Sequence, residues 1–380
     1  MSESDEPRSD ARPLIAVAGA TGHTGDRVLH ALHARGARLR LVGRDAARLA
    51  RAAEPFRGAT RRWVPAWDED GLARAFEGCN AIISCAGPFN LAGWPVVRAA
   101  IAARVPYCDS SGEQAFIRRV FEELDGDARA AGVALVPAAG FDYVLGDLGG
   151  HIAASALGEI DTIEVVYAVA GGAMSAGTRK TMIESLAHTP HELVDGRLRR
   201  MRIGATFRTA EASRTADTSR TGAGSSEVRC VAIPGGEAIM VPRHVNVRNV
   251  RSFAGARGLP VSSALLALVS VVARIAPARR LIARIFAGTG PKPDRGTTGA
   301  VFACTVTARN AAGDERKVTL RGADPYDFTA RALAMLAMMM AAGHAGAGAL
   351  APAQVVQPAE FLRALGVDVM EDTKIADTAE

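Results

Sequence analysis

Three glycines, Gly19, Gly22 and Gly25, stand at i, i+3 and i+6 directly after the apolar run Leu14-Ile15-Ala16-Val17-Ala18. An amphipathic segment with Val28, Leu29 and Leu32 on one face follows them. The order strand, glycine turn, helix is what a dinucleotide pyrophosphate requires. Gly19 permits the tight turn, Gly22 lets the backbone approach the phosphates, and Gly25 lets the helix pack closely on the strand. The anion then sits on the helix N-terminus, where unpaired N–H groups and the dipole favour negative charge. The spacing GxxGxxG departs from the commoner GxGxxG. The next chemical signal is Gly43-Arg44-Asp45, at the end of a second apolar run at residues 39–42. An acidic residue there usually takes the ribose 2′-hydroxyl, whereas an arginine accommodates a 2′-phosphate. Arg44 comes first, and its guanidinium matches phosphate geometry. Asp45 reads better as the cap of a helix opening at Ala46, so the pair predicts NADP(H) over NAD(H).

These groups need a scaffold, and the pattern supplies one. Helix and strand signals alternate from residue 14 to residue 137, with the fully apolar Ala81-Ile82-Ile83-Ser84-Cys85-Ala86 as a buried parallel strand broken by Gly87-Pro88-Phe89. The prediction is a doubly wound parallel sheet, whose ligands lie outside the carboxyl ends of its strands. The loops opening at Gly19, Gly43, Asp68, Gly87, Asp109 and Gly140 then share one crevice. From about Ile160 alternating runs without regular crossover helices predict a second, mostly antiparallel sheet, with strands expected at residues 160–170, 201–209, 228–233, 238–241, 245–251 and 301–309. One helix is expected over residues 113–131, and a polar tail after residue 365. The fold class is therefore α/β, a Rossmann domain with an α+β domain. The expected division is a disordered tail at 1–12, a Rossmann NADP-binding domain at 13–150, an α+β substrate or dimerisation domain at 151–323, and C-terminal helices at 324–380 returning to the first domain.

Composition narrows the class. The 380 residues are 48% apolar and 22% charged, enough to bury a core. The net charge of +5 comes from scattered arginines, which argues against a nucleic-acid footprint. The five cysteines lie far apart without metal spacing, which fits a reduced, cytoplasmic protein with no metal site. No apolar stretch is long enough to span a membrane. The polar stretch at residues 208–227 reads as a mobile loop. The apolar and basic segment at residues 259–290 has two readings: a buried helix followed by one packed on the domain face, which is favoured, or a peripheral contact with a lipid surface.

Several segments together resemble the saccharopine dehydrogenase-like oxidoreductases. They are Gly19-Ala-Thr-Gly-His-Thr-Gly25, Gly43-Arg-Asp45, Ile83-Ser-Cys-Ala-Gly-Pro-Phe89, Tyr107-Cys-Asp-Ser-Ser-Gly-Glu113 and Val136-Pro-Ala-Ala-Gly-Phe-Asp142. Ser175-Ala-Gly-Thr-Arg-Lys-Thr-Met-Ile-Glu184 and the helix from Tyr326 are similar to the branch called trans-acting enoyl reductases, which act on lipid or polyketide intermediates. The resemblance implies NADP binding by Gly19, Thr21, Gly22, His23, Thr24, Gly25 and Arg44, with Asp45 and Asp68 on neighbouring loops. It places Cys85, Ala86, Gly87, Pro88 and Phe89 along the nicotinamide. The chain departs from the family pattern at Tyr143-Val-Leu-Gly-Asp147, where Ser-Val-Pro-Ser-Asp is common.

A reductase of this kind needs a hydride donor and a group that stabilises developing charge or delivers a proton. Tyr143 and Lys180 are the candidate donors, and Asp109 and Asp142 are carboxylates at strand ends that could orient one. His151 and His188 are given no role. The expected reaction is reduction of a C=C bond in an acyl, polyketide or lipid-like substrate. The alternatives are an imine or opine-type dehydrogenase, which would need Arg179, Arg243, Arg248 or Arg295 to converge on carboxylates, and a non-catalytic NADP-binding sensor. Small-molecule substrate and a homodimer are the expected partners.

Overall fold

The computed structural model describes residues 12–201, 206–209, 228–255, 272–288 and 299–375. The expected tail at 1–12 lies outside them but for Arg12. So do residues 210–227 of the polar stretch, residues 259–271 and 289–290 of the apolar and basic segment, and Arg295.

The first half alternates as the apolar pattern predicts. Its elements are β1 (Leu14–Ala18), α1 (His23–Ala34), β2 (Arg38–Gly43), α2 (Ala46–Ala53), β3 (Thr60–Trp63), α3 (Glu69–Phe76), β4 (Ala81–Ser84), α4 (Phe89–Ala103), β5 (Tyr107–Asp109), α5 (Gln114–Glu123), α6 (Asp125–Ala131), β6 (Ala134–Val136) and α7 (Phe141–Ala154). Among the described residues these strands form one sheet in the order β6-β5-β4-β1-β2-β3, all pairs parallel. β1 and β4 are buried at every position, since helices cover both faces of the sheet. Each such aliphatic side chain contributes about 1.5–3 kcal/mol. The single helix expected at residues 113–131 is two, because Leu124 (φ −115°) breaks the run between α5 and α6.

The second half holds β7 (Ile160–Ala170), α8 (Ala176–Leu186), β8 (His191–Val194), β9 (Arg197–Arg200), β10 (Thr206–Thr209), β11 (Val228–Ile233), α9 (Glu237–Met240), β12 (Val247–Gly255), α10 (Ala276–Gly288), β13 (Val301–Arg309) and β14 (Glu315–Ala323). The chain closes with α11 (Pro325–Ala341), β15 (Gly348–Ala349), α12 (Pro358–Ala364) and β16 (Asp368–Lys374). The second sheet runs β10-β11-β12-β7-β13-β14-β16. It is mixed rather than antiparallel throughout, because β7 and β12 pair in parallel. β7 alternates buried and half-buried positions and packs Ile163, Val165 and Tyr167 into the core with Cys304, Val306 and Leu320.

Three sequence readings change here. The expected strand at 238–241 is helical: Gly236 opens α9, and four apolar residues carry no period that separates helix from strand. Of the strand expected at 201–209, residues 206–209 form β10, Met201 lies just past β9, and residues 202–205 lie outside the described residues. The polar tail after residue 365 folds as β16. Charge rather than burial supports it, since Lys317 lies opposite Asp372, Glu315 opposite Lys374, and Arg316 pairs with Glu371. Finally, α11 lies against α1 and the ends of β4 and β5. An ion pair from Arg27 to Asp324 (3.5 Å) fixes its start, and Phe141 N donates to Thr329 Oγ1 (3.0 Å) further along.

Candidate functional site

The glycine turn is shaped by contacts that exclude side chains. Gly19 has φ +80°, and a Cβ there would lie 2.8 Å from the carbonyl carbon of Cys85. The first loop and the β4 loop therefore touch backbone to backbone. At Gly25 a Cβ would meet Gly19 O at 2.3 Å, so α1 presses directly on the turn. Gly22 is the N-cap of α1 and offers no side-chain cap, which leaves first-turn N–H groups facing the crevice. Such a cradle fits a pyrophosphate. His23 stands at its rim, edge-on to Tyr326 of α11 with ring centroids 4.7 Å apart. The Tyr326 hydroxyl accepts from Ser175 N (2.6 Å) and meets Thr178 Oγ1 (3.0 Å), while Ser175 Oγ caps α8. Tyr326 thus ties the phosphate loop to the first helix of the second domain.

The edge of the sheet is basic. Arg44 is exposed and lies over the Trp67 ring, its guanidinium carbon 5.6 Å from the centroid, and Trp63 Nε1 donates to Arg44 O (3.1 Å). Arg48, one turn into α2, donates to Thr21 O (3.0 Å). Two guanidinium groups therefore flank the turn. Asp45 is spent as the cap of α2, accepting from Arg48 N (2.9 Å), and Asp68 caps α3 from Gly71 N (2.7 Å). These caps turn both carboxylates to helix starts rather than to a ligand.

On the opposite side, two loops and two helices meet around Glu113. Its carboxylate is fully buried. Oε1 accepts from Phe89 N (2.8 Å) and from Thr181 Oγ1 of α8 (3.2 Å), and Oε2 accepts from Gly112 N (3.2 Å). Burial pushes this carboxyl up to about 7. Asp142, in the first turn of α7, is exposed as a residue, while desolvation of its carboxyl beside Gly112 raises it to about 6. A Cβ on Gly112 would lie 2.8 Å from Asp142 Oδ2 and 3.7 Å from Thr181 Cγ2; one on Gly87 would lie 3.6 Å from Thr181 Oγ1. Gly87, Gly112, Asp142 and Thr181 thus enclose one small space beside the β4 loop. Lys180 is exposed on α8, next to Thr181 in sequence but turned about 100° away around the helix.

Several expected roles change with this geometry. Asp109 is completely buried and receives Tyr107 Oη (2.7 Å), Ser111 N (2.8 Å) and Ala138 N (2.9 Å), so its carboxylate is taken up in shaping two turns. Tyr143 is buried against Gly236, and its hydroxyl bridges Gly112 O (2.9 Å) and Pro234 O (2.8 Å). Burial raises it far above an ordinary phenol, so it is a joint between the two sheets rather than a proton donor. Gln114 reinforces this joint, donating to Gly235 O (2.7 Å) and accepting from His191 N (2.8 Å). Tyr143→Phe is expected to cost about 1–3 kcal/mol of stability, because the one hydroxyl hydrogen shared by two part-buried carbonyls is lost. Thermal unfolding checks this, and an unchanged midpoint contradicts the joint. The Phe89 side chain is buried against Phe116 (5.5 Å), which leaves only its backbone to the site. The Gly87–Pro88 peptide is cis, and Ala86 and Cys85 are half-buried beside it. Burial and Asp109 push the Cys85 thiol up to about 12, which rules out a thiolate nucleophile at ordinary pH.

Among the described residues, the arginines named for an amino-acid substrate (Arg179, Arg243 and Arg248) have separate partners. Arg179 donates to Met174 O, Arg243 stacks 4.5 Å over Phe121, and Arg248 pairs with Asp195 (3.5 Å). His151 is not solitary: its Nδ1 lies 3.3 Å from His244 Nδ1, and His244 Nε2 meets buried Asp147 (2.7 Å). Glu113, Thr181 and Arg48 are the residues that sequence reasoning missed. Glu113 closes the quoted Tyr107–Glu113 motif, but an acid before a helix reads equally as a cap.

Comparison with known proteins agrees with this geometry. Residues 19–116 match the family model described as NAD(P)H-binding. They form a nicotinamide-nucleotide-binding domain. This domain carries the cradle, the basic edge and Glu113. Over 185 residues the chain is 31% identical to a putative trans-acting enoyl reductase of Mycobacterium tuberculosis, covering 46% of this chain and 44% of that protein. Over 82 residues it is 37% identical to a probable mitochondrial saccharopine dehydrogenase-like oxidoreductase of Arabidopsis thaliana, covering 22% and 18% respectively. The matches thus span less than half the length of these relatives. In architecture the chain superposes on apo saccharopine dehydrogenase (L-Glu forming) of Saccharomyces cerevisiae with a TM-score of 0.60 at 15% identity, over 96% of this chain and 100% of that one. The two share a fold, here a parallel sheet joined to a second, mixed sheet.

Proposed function

We propose that this chain is an NADPH-dependent oxidoreductase that reduces a C=C bond conjugated to a carbonyl in an acyl, polyketide or lipid-like substrate. The observation that carries the proposal is the pairing of a glycine cradle at the start of α1 with the Asp142 carboxyl, which lies against Gly112 beside the β4 loop. The nicotinamide, when bound, supplies hydride to the β-carbon of such a substrate. The chain supplies everything else. Turn amides and the α1 N-terminus hold the pyrophosphate. Arg44 and Arg48 hold the 2′-phosphate, which selects NADP(H) over NAD(H). Thr181 Oγ1 gives its one hydrogen to Glu113, so it fixes α8 beside the β4 loop and lines the space next to it rather than polarising a substrate carbonyl. Asp142 delivers a proton to the α-carbon, since a carboxyl near 6 still exists partly as the acid at neutral pH.

The dispersal of Arg179, Arg243 and Arg248 supports an uncharged acyl substrate over an amino-acid-derived one. The relatives named as enoyl reductases support the same reading. Arg44→Ala tests the cofactor part. NADPH affinity is expected to fall about 10- to 100-fold, the worth of a charged hydrogen bond, while NADH affinity stays near its original value. Fluorescence titration with both nucleotides measures it, and an equal loss for both contradicts the 2′-phosphate role.

A further inference from the structure

We propose that the outer face of α10 docks on an anionic lipid surface, and that this places the candidate site beside the source of its acyl substrate. The second clause rests on the acyl-substrate reading above; the first does not.

α10 has two dissimilar sides. Its inner side packs on α8: Ala283 is buried, Ile282 is half-buried, and Arg279 pairs with buried Glu184 at 3.0 Å. Its outer side carries two parallel rows one turn apart. Leu281 and Ile285 form an apolar row, 59% and 60% exposed, and Arg280 and Arg284 form a basic row beside it. Ile275 (58% exposed) and Arg274 continue both characters just before the helix. Large aliphatic side chains exposed at helical spacing lose free energy in water and regain it in an acyl layer. Arginine beside them reaches headgroup phosphates while its stem lies along the apolar surface.

The charge pattern selects the occupant. No Asp or Glu occurs in the sequence between Glu237 and Asp294, while arginines recur through that stretch. A second copy of the same face would bring guanidinium rows together, and a neutral apolar groove would leave them without counter-charge. An anionic bilayer or lipid monolayer satisfies both rows at once. Among the described residues no helix is long and apolar enough to cross a membrane, so the contact proposed is parallel to the surface. The position of α10 gives the docking a consequence. α8, on which it rests, also carries Thr181, which donates to Glu113 at the crevice.

Co-sedimentation of the full chain with vesicles tests the proposal. One set is phosphatidylcholine alone and the other is phosphatidylcholine mixed with phosphatidylglycerol, each at low and high salt. The expected result is partition onto the anionic vesicles that weakens with salt. Each arginine near such a surface adds about fivefold, so Arg280→Gln with Arg284→Gln is expected to lower partition about 30-fold. Leu281→Ser with Ile285→Ser is expected to remove the part that survives high salt. NADPH affinity, measured on the same samples, stays unchanged in both double variants and shows that the fold is intact. The proposal is overturned by equal partition onto both vesicle types, by no partition, by a double arginine variant that partitions like the original chain, or by lipid-free dimerisation that the leucine and isoleucine replacements abolish. Docking without any turnover of acyl substrates would leave the surface standing and remove only its link to the site.

Discussion

Gly25→Ala is expected to abolish tight nucleotide binding. The new Cβ would stand 2.3 Å from Gly19 O and 2.9 Å from the Ala20 Cα, and neither is the movable end of a side chain. The helix must slide away from the turn. Overpacking of this kind costs about 1–3 kcal/mol or more, and here it falls on the amides that hold the pyrophosphate. A displaced cradle is expected to weaken NADPH about 10- to 100-fold, with a lower unfolding midpoint. Gly126 of α6 provides the control, because a Cβ there meets nothing within 4 Å. Gly126→Ala is expected to stabilise by about 0.5–1 kcal/mol through helix propensity, leaving NADPH affinity unchanged. Opposite signs from the same substitution would locate the effect in the contact. Gly25→Ala binding NADPH normally would show that α1 can yield.

The second large effect belongs to Asp142. Asparagine keeps its shape and removes its proton, so the fold and NADPH affinity are expected to persist. Turnover is expected to fall about 10²- to 10⁴-fold, the usual range for loss of a general acid. The pH profile supplies a signature that a structural role would not. With the carboxyl raised to about 6, the acid form is depleted as pH climbs through that value, so the rate falls on the alkaline side. In Asp142→Asn that limb should vanish. An unaltered profile with full turnover would remove Asp142 from the chemistry and leave the proton to solvent.

Much of the scaffold was legible because its signals are local. The apolar runs of β1 and β4, the Gly19–Gly25 spacing and the cap at Asp45 each follow from a few adjacent residues. The parts that escaped depend on distant partners. Glu113 matters because Phe89 N and Thr181 Oγ1 arrive from two distant segments beside the neighbouring Gly112 N, and no periodicity announces such a meeting. Tyr143 and Asp109 looked reactive by type and by position at strand ends. Burial and backbone partners turned both into supports. β16 escaped because its register is set by charge opposite β14 rather than by an apolar face, and β15 because two residues carry no period at all. The strand pattern at 238–241 misled for the converse reason, since a short apolar run suits either structure.

The measurement that bears most directly on the central claim is NADPH consumption by the purified chain with two substrate panels, long-chain enoyl thioesters and α-keto acid plus amine mixtures. The crevice described here predicts oxidation of NADPH with the enoyl thioesters alone, faster below pH 6 than above it. Turnover with the keto acid and amine mixtures alone, or bound NADPH with no turnover in either panel, would contradict it.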